Sequence, residues 1–274
     1  MGEDSKLNFG IKIMTLSPIT DYVTQCRLLL DCVEQQRQAI HQAADLFTQS
    51  ILAGRMVHLF GSGHSRILVE EMWPRYGSFP GFNPIVELSL TFHHPVVGAN
   101  GQRQAMFLEN VPGFAERILR NFDFSPQDTA LVVSSSGANL VPIEMAQGFQ
   151  KRGIKVVAIV SKKHADATPS KHPDGVKLQD CAEIVLDTGA PVGDAMVKVD
   201  GLETPVAPGS TIGGCALINC IKAEVAAHLT QAGHPPKVLT GAAVIGAERA
   251  TALFEAAYDE HARRLAKLYQ HIGE

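Results

Sequence analysis

The sequence predicts an α/β protein: a three-layer α-β-α sandwich around a five-stranded, mainly parallel sheet, with helical additions at both ends. Three observations predict it. Short apolar runs alternate with longer stretches of helical period, the order that a parallel sheet covered on both faces requires. Two of those runs end in Ser/Gly-rich turns that open into helices, the place where open parallel sheets bind ligands. The totals suit one globular domain with a full core: 274 residues, 45% hydrophobic and 19% charged.

The elements follow in order. Residues 18–53 have helical period, with Ser17-Pro18 as N-cap and first residue and Gly54 as the stop. "MVHLF" (56–60) is a buried strand, and 65–77 returns to helix until Pro74 bends or ends it. "NPIVELSL" (83–90) is the second strand, followed by a turn-rich loop. Residues 104–122 form a helix interrupted at Pro112-Gly113. "DTALVVS" (128–134) is the third strand, 139–153 its helix, and 154–161 the fourth strand. A polar stretch from 162 reads as an exposed loop, and "EIVLDTG" (183–189) as the fifth strand. A hairpin turns at Asp200-Gly201, and helices cover 211–232 and 246–271. With no low-complexity linker, the division is an N-terminal arm (1–17), one domain (18–245) and a C-terminal helix (246–274) lying on the domain or on a partner subunit.

Charge and composition exclude several classes. The net charge is −4 and no basic tract occurs, so no nucleic-acid partner is expected. No apolar run reaches membrane-spanning length, and the acidic N-terminus "MGEDSKLNFG" has no signal-peptide core. The five cysteines (Cys26, Cys32, Cys181, Cys215, Cys220) are odd in number and lack C-x-x-C spacing. They read as buried free thiols in a reducing cytoplasm. His164, Asp166 and His172 are too irregularly spaced for a metal site, so neither metal nor cofactor is expected.

The chemistry concentrates at two turns. The first is Gly61-Ser62-Gly63-His64-Ser65 and the second is Ser134-Ser135-Ser136-Gly137, with Asn139 two residues later. Glycine lets backbone approach a ligand. A helix start offers unpaired N–H groups and partial positive charge, and serine adds donors, a suitable cradle for phosphate. Arg66 stands where a dinucleotide fingerprint needs glycine, and no P-loop pattern occurs. A third turn, "APGSTIGG", brings Ser210 or Thr211 to another helix start, as cap, ligand contact or both.

These two turns, in this α/β order, resemble the sugar isomerase (SIS) domain, a flavodoxin-like sandwich, over roughly residues 20–235. The resemblance implies that Ser134, Ser136, Gly137 and their neighbours hold the phosphate of a phosphosugar. Asn139 departs from the usual threonine and can cap the helix. "RILVEEMWPRYG" and "PGSTIGGCALINCI" are similar to N-acetylmuramic acid 6-phosphate etherases, and "EEMWPRY" also to phosphoheptose isomerases. The whole chain is similar to a phosphosugar isomerase-like group. The likeness also implies a homodimer or tetramer with sites near the interface.

Aldose–ketose isomerisation needs a base for the proton beside the carbonyl and a group that shuttles protons among oxygens. Of the adjacent Glu70 and Glu71, Glu71 is the expected base, because its spacing to the following Pro and Gly resembles the etherase pattern. Glu109, before Pro112-Gly113, lies in a segment similar to the one that supplies a second acid in the etherases, which implies that role here, and His64 reaches a ligand from the loop itself. His93, His94, His234, His261 and the i,i+4 pair Glu224/His228 are weaker candidates. The expectation is a cytoplasmic sugar-phosphate isomerase. The alternatives are an amino-sugar phosphate lyase and a non-catalytic phosphosugar sensor for a protein partner. DNA regulation is disfavoured, because no basic helix-turn-helix precedes the domain.

Overall fold

The computed structural model describes residues 17–91, 99 and 101–270. His93 and His94 lie outside them, as does most of the N-terminal arm. Two helices come first, α1 (Pro18–Glu34) and α2 (Arg37–Leu52). Strand β1 (Val57–Gly61) leads through a short 3₁₀ turn into α3 (Arg66–Met72), and β2 (Phe82–Ile85) follows. Then come α4 (Gln102–Leu108), α5 (Phe114–Leu119), β3 (Thr129–Val133), α6 (Leu140–Lys151) and β4 (Lys155–Val160). The remainder is α7 (Lys162–Ala167), β5 (Ile184–Asp187), β6 (Ala195–Val197), β7 (Val206–Pro208), α8 (Ser210–Gln231), α9 (Ala242–Ile245) and α10 (Ala247–Ala266).

Five strands pair in the order β2-β1-β3-β4-β5, and every pairing is parallel. The order reverses between β1 and β3, so the turns after those two strands open into the same crevice, where open α/β sheets bind ligands. The register pairs Gly61 with Val133 and Val133 with Ile159, which brings Ser62 and Ser134 to one edge. Strand residues alternate between two cores, as a pleat of period two dictates. Val57, Leu59, Leu131, Val133, Val157 and Ile159 face the side built from α2, α3 and α8. Phe60, Ala130, Val132, Val156, Ala158 and Val160 face the side of α5 and α6. The predicted hairpin appears as the antiparallel β6–β7 pair.

Several expectations are corrected. The helix expected over 18–53 breaks at Gln35-Gln36. There the Gln36 amide donates to the carbonyls of Cys32 and Asp187, and its oxygen accepts from Asp187 N–H at 2.7 Å. A side chain that satisfies the end of β5 outweighs continuation of the helix. The strand expected over 83–90 stops at Ile85, because Glu87 accepts from Ser89 N–H and folds 88–90 into a 3₁₀ turn. The helix expected over 65–77 ends at Met72, before the Trp73-Pro74 bond. The polar loop after β4 contains α7. Of the five free cysteines only Cys181 is buried, and Cys220 is exposed.

By length and composition α8 is apolar enough to cross a membrane. In this fold it is a core helix, with Leu217, Ile218, Ile221, Val225 and Leu229 buried in the cluster that contains α2 and α3 residues. On α10, His261 lies 5.2 Å from Trp73, and Arg264 donates to the carbonyls of Ile51 and Arg55.

Candidate functional site

The turns after β1, β3 and β5 and the start of α8 enclose a cavity of about 210 Å³. Its size suits a small metabolite rather than a polymer segment.

The first turn supplies Ser62, His64 and Ser65 to the cavity wall. Gly61 and Gly63 shape the backbone behind them. A Cβ on Gly61 would stand 2.7 Å from the Ser65 carbonyl oxygen and 2.8 Å from its carbon. Only glycine lets the turn fold back so closely. Gly61→Ala is expected to cost about 1–3 kcal/mol, the usual penalty for forced overpacking; a denaturant titration in which the variant matches the parent would remove this requirement.

The second turn supplies Ser134, Ser135, Ser136 and Asn139. Ser134 Oγ accepts from Gly137 N–H at 3.2 Å, and Ser136 Oγ accepts from Ala138 N–H at 3.3 Å. Each hydroxyl proton is thereby left to be donated to another acceptor. Ser135 differs: its hydroxyl joins a chain through Ser161 (2.9 Å) to Thr188 (2.7 Å). Gly137 has φ +58°, and a Cβ there would meet Gln179 Oε1 at 2.5 Å.

Asn139 does not cap α6, against the expectation. Its Nδ2 donates to Glu109 Oε2 at 2.6 Å, and its Oδ1 accepts from Lys171 Nζ at 2.7 Å. No side chain caps α6 among the described residues. The opposite holds at α8. There Asp194, at φ +69°, accepts from the N–H of Gly209 and Ser210 and from the Ser210 hydroxyl. The cap expected of Ser210 or Thr211 therefore comes from Asp194, and both residues line the cavity beside it. An anionic group already occupies the start of α8. The start of α6, ringed by serine donors, is the end with positive potential to spare.

Glu109 lies in the cavity wall and is only 7% exposed. It follows α4, its carbonyl accepts from Val141 N–H at the start of α6, and its carboxylate receives hydrogen bonds from Ser62 and Asn139. Burial pushes its pKa up, opposed by the Ser62 hydrogen bond, the Lys171 charge and the Asn139 hydrogen bond. A buried carboxyl held by such opposing influences is a candidate for proton transfer.

Glu71, the expected base, does not enter this cavity. One turn further along α3, its carboxylate pairs with Arg75 and accepts from Asn219 Nδ2 of α8 at 2.7 Å. Glu70 pairs with Arg66 at 2.9 Å. Both carboxylates line a separate, open depression with Ile67 and Tyr76. His234 is also elsewhere, at a cavity between the end of α8 and α10. Sequence reasoning missed Asp194, Thr188 and His164, all at the cavity wall, and Lys171 behind Asn139. A Gly-Asp pair in a turn was the one available signal for Asp194, since short polar residues tolerate positive φ.

The family model of the SIS domain matches residues 21–161. A UPF0309 protein of Halalkalibacterium halodurans is 34% identical over 233 residues, which covers 85% of this chain and 94% of that protein. A UPF0309 protein of Listeria monocytogenes serotype 4b is 31% identical over 242 residues, covering 88% and 94% respectively. A phosphoheptose isomerase from Neisseria gonorrhoeae aligns in three dimensions over 76% of this chain and 94% of its own, at 14% identity and a TM-score of 0.46. With half the chain inside the family model and near-full-length relatives above 30% identity, this protein belongs to the SIS domain family and, within it, to the UPF0309 group.

Proposed function

We propose that the cavity binds a sugar phosphate and that the protein is a cytoplasmic aldose–ketose isomerase with Glu109 as its general base. The observation that carries this reading is the buried Glu109 carboxylate facing the serine-lined turns. Ser134, Ser136 and the start of α6, which no side chain caps, supply donors and partial positive charge for the phosphate. The sugar carbons then extend toward Glu109.

The chemistry follows from those positions. Glu109 takes the proton from C2 of the aldose, and the electron pair moves through to the C1 oxygen as an enediolate. The same carboxyl returns the proton to C1 while a proton passes from O2 to O1. His64 and His164, both at the cavity wall, serve the oxygen-to-oxygen transfer. The base is assigned to Glu109 rather than Glu71, because α3 turns Glu71 onto α8. An eliminating lyase needs a second acid for its leaving group, and Asp194 is committed to the start of α8. Exposed Ile19, Val23 and Leu30 share a face of α1 and offer it to a second copy, in keeping with a homo-oligomer.

A thermal-shift screen against sugar phosphates, their unphosphorylated parents and inorganic phosphate tests the binding step. The sugar phosphates are expected to raise the melting temperature and the parents to leave it unchanged. At a ligand concentration of 100 Kd the stabilisation is about 2.7 kcal/mol. Proton NMR in D2O then follows loss of the C2 proton of the best ligand. If no phosphorylated compound shifts the melt, the cavity is not a phosphosugar site. A shift without proton exchange assigns the protein to the sensor class instead.

A further inference from the structure

We propose that His41, Glu224 and His228 form a surface site for a divalent transition metal, zinc foremost, that clamps α2 to α8. Each helix contributes an i,i+4 pair, His41/Asp45 from α2 and Glu224/His228 from α8. Residues four apart share a helix face, and these two faces meet. His41 Nδ1 lies 2.8 Å from Glu224 Oε1, and His228 Nε2 lies 3.6 Å from the same oxygen. The ligand atoms of His41, Glu224 and His228 all fall within 4.8 Å of one another.

Zinc takes imidazole nitrogen and carboxylate oxygen at about 2.0–2.2 Å, which in a tetrahedron sets donors roughly 3.3–3.5 Å apart. The two separations to Glu224 bracket that spacing, and the two imidazole nitrogens lie within 4.8 Å of each other. Two imidazoles with a carboxylate suit zinc, with nickel and cobalt as competitors. Asp45 completes the arrangement from behind. Its Oδ1 lies 3.1 Å from His228 Nδ1, so that nitrogen carries the proton and Nε2 is left to face the metal. His228 is largely enclosed, with 13% of its side chain exposed, while His41 and Glu224 are about half exposed. Water therefore has access to the fourth position.

The site is distinct from the serine-lined cavity. Glu224 lies thirteen positions beyond Thr211 on α8, about 20 Å along the axis. The pair Glu224/His228 is visible in the sequence, but His41 lies 183 residues away and only the fold brings it to them. The clamp would tie the helix that edges the cavity to the helix that packs beneath it.

The test uses full-length protein stripped with chelator and desalted. Calorimetric titration with zinc is expected to give one site per chain, and zinc is expected to raise the melting temperature. His41→Ala, at an exposed position, and Glu224→Gln are each expected to weaken zinc binding by at least about tenfold, and Asp45→Asn by about 10–100-fold. Cobalt substitution reads the geometry through the intensity of its visible absorption, strong for a tetrahedral site. If zinc does not bind, or if it binds His41→Ala and Glu224→Gln as tightly as the parent, the assignment is overturned; in the latter case the metal sits on cysteines or other histidines. Circular dichroism of the two variants without metal is expected to match the parent, so that a loss of binding is not a loss of fold.

Discussion

Glu109→Gln is expected to lower turnover of the sugar phosphate by about 10²–10⁴-fold, the usual worth of a positioned general base. Its dissociation constant for the same ligand is expected to move by less than about tenfold, because the residues proposed to hold the phosphate, Ser134, Ser136 and the start of α6, are unchanged. Glutamine keeps the shape of the side chain. Its amide oxygen accepts from Asn139 Nδ2 as the carboxylate does, and the Ser62 hydroxyl rotates to accept from its NH2. What the variant loses is the capacity to take a proton. Glu71→Gln supplies the contrast: Glu71 contacts Arg75 and Asn219 outside the cavity, so its replacement is expected to leave turnover within a few-fold. Steady-state kinetics on the two variants decide the matter. Loss of turnover in Glu71→Gln with Glu109→Gln active would move the base to a carboxylate presented to a neighbouring subunit.

The pH dependence carries the same assignment. A base acts ionised, so kcat/KM is expected to rise with pH through an apparent pKa above the ordinary glutamate value of about 4.3. Burial raises that pKa and Lys171 holds it down, so Lys171→Met is expected to move the rising limb to higher pH. The stability sign is opposite. A carboxyl whose pKa is raised by folding binds its proton more tightly in the native state. Its contribution is present below the unfolded pKa and is lost as pH rises through the folded one. Ionisation of the buried Glu109 opposes folding, and Glu109→Gln is expected to be at least as stable as the parent. A variant that is inactive and equally stable has lost chemistry, not structure.

The fold was legible because it rests on period. Alternating cores along β1, β3 and β4 follow from runs such as "TALVV", and the two Ser/Gly turns mark the strand ends that a β2-β1-β3-β4-β5 order brings together. Most of the cavity wall was legible for the same reason, since Ser62, His64, Ser65 and Ser134–Ser136 belong to those turns. The remainder depends on contacts distant in sequence. Whether Glu71 or Glu109 faces the cavity is decided by where α8 packs against α3 and where α4 ends against α6, and neither contact has a local signature. Asn139 is a preferred capping residue by type, yet a buried carboxylate 30 residues away claims its amide. Asp194 reaches α8 from a turn that read only as part of a hairpin. The break between α1 and α2 answers to Asp187, 151 residues further on.

The largest effect on stability is expected from Asp128→Ala, at about 3–5 kcal/mol, because removing one partner strands the other charges in a buried network. Asp128 is fully enclosed at the edge of the sheet opposite the cavity. It accepts two hydrogen bonds from Arg55 at 2.9 Å and one each from the backbone N–H of Ser125 and Met56. His58 Nε2 lies 3.2 Å from it, and Asn83 Nδ2 lies 3.1 Å from His58 Nδ1, where it can donate to a neutral ring. Although burial pushes the Asp128 pKa upward, the hydrogen bonds from His58 and Arg55 outweigh it and hold the pKa at about 2. Burial depresses the pKa of His58, so the ring stays neutral in the fold. The two groups act in the same direction. A depressed carboxyl pKa gives stability that is present above the unfolded value of about 3.9 and lost as pH falls toward 2. A histidine that resists protonation in the fold loses stability for the chain as pH falls below about 6.5, where the unfolded state takes up the proton. Acid unfolding is therefore expected to begin with His58 and to steepen as Asp128 titrates. Urea titrations across that range check it: Asp128→Ala should be strongly destabilised at neutral pH and lose less on acidification than the parent does. Parallel curves for parent and variant would mean that the acid sensitivity resides elsewhere, and a neutral-pH loss below about 1 kcal/mol, the worth of an exposed pair, would mean that Arg55 and His58 find other partners when the carboxylate is gone.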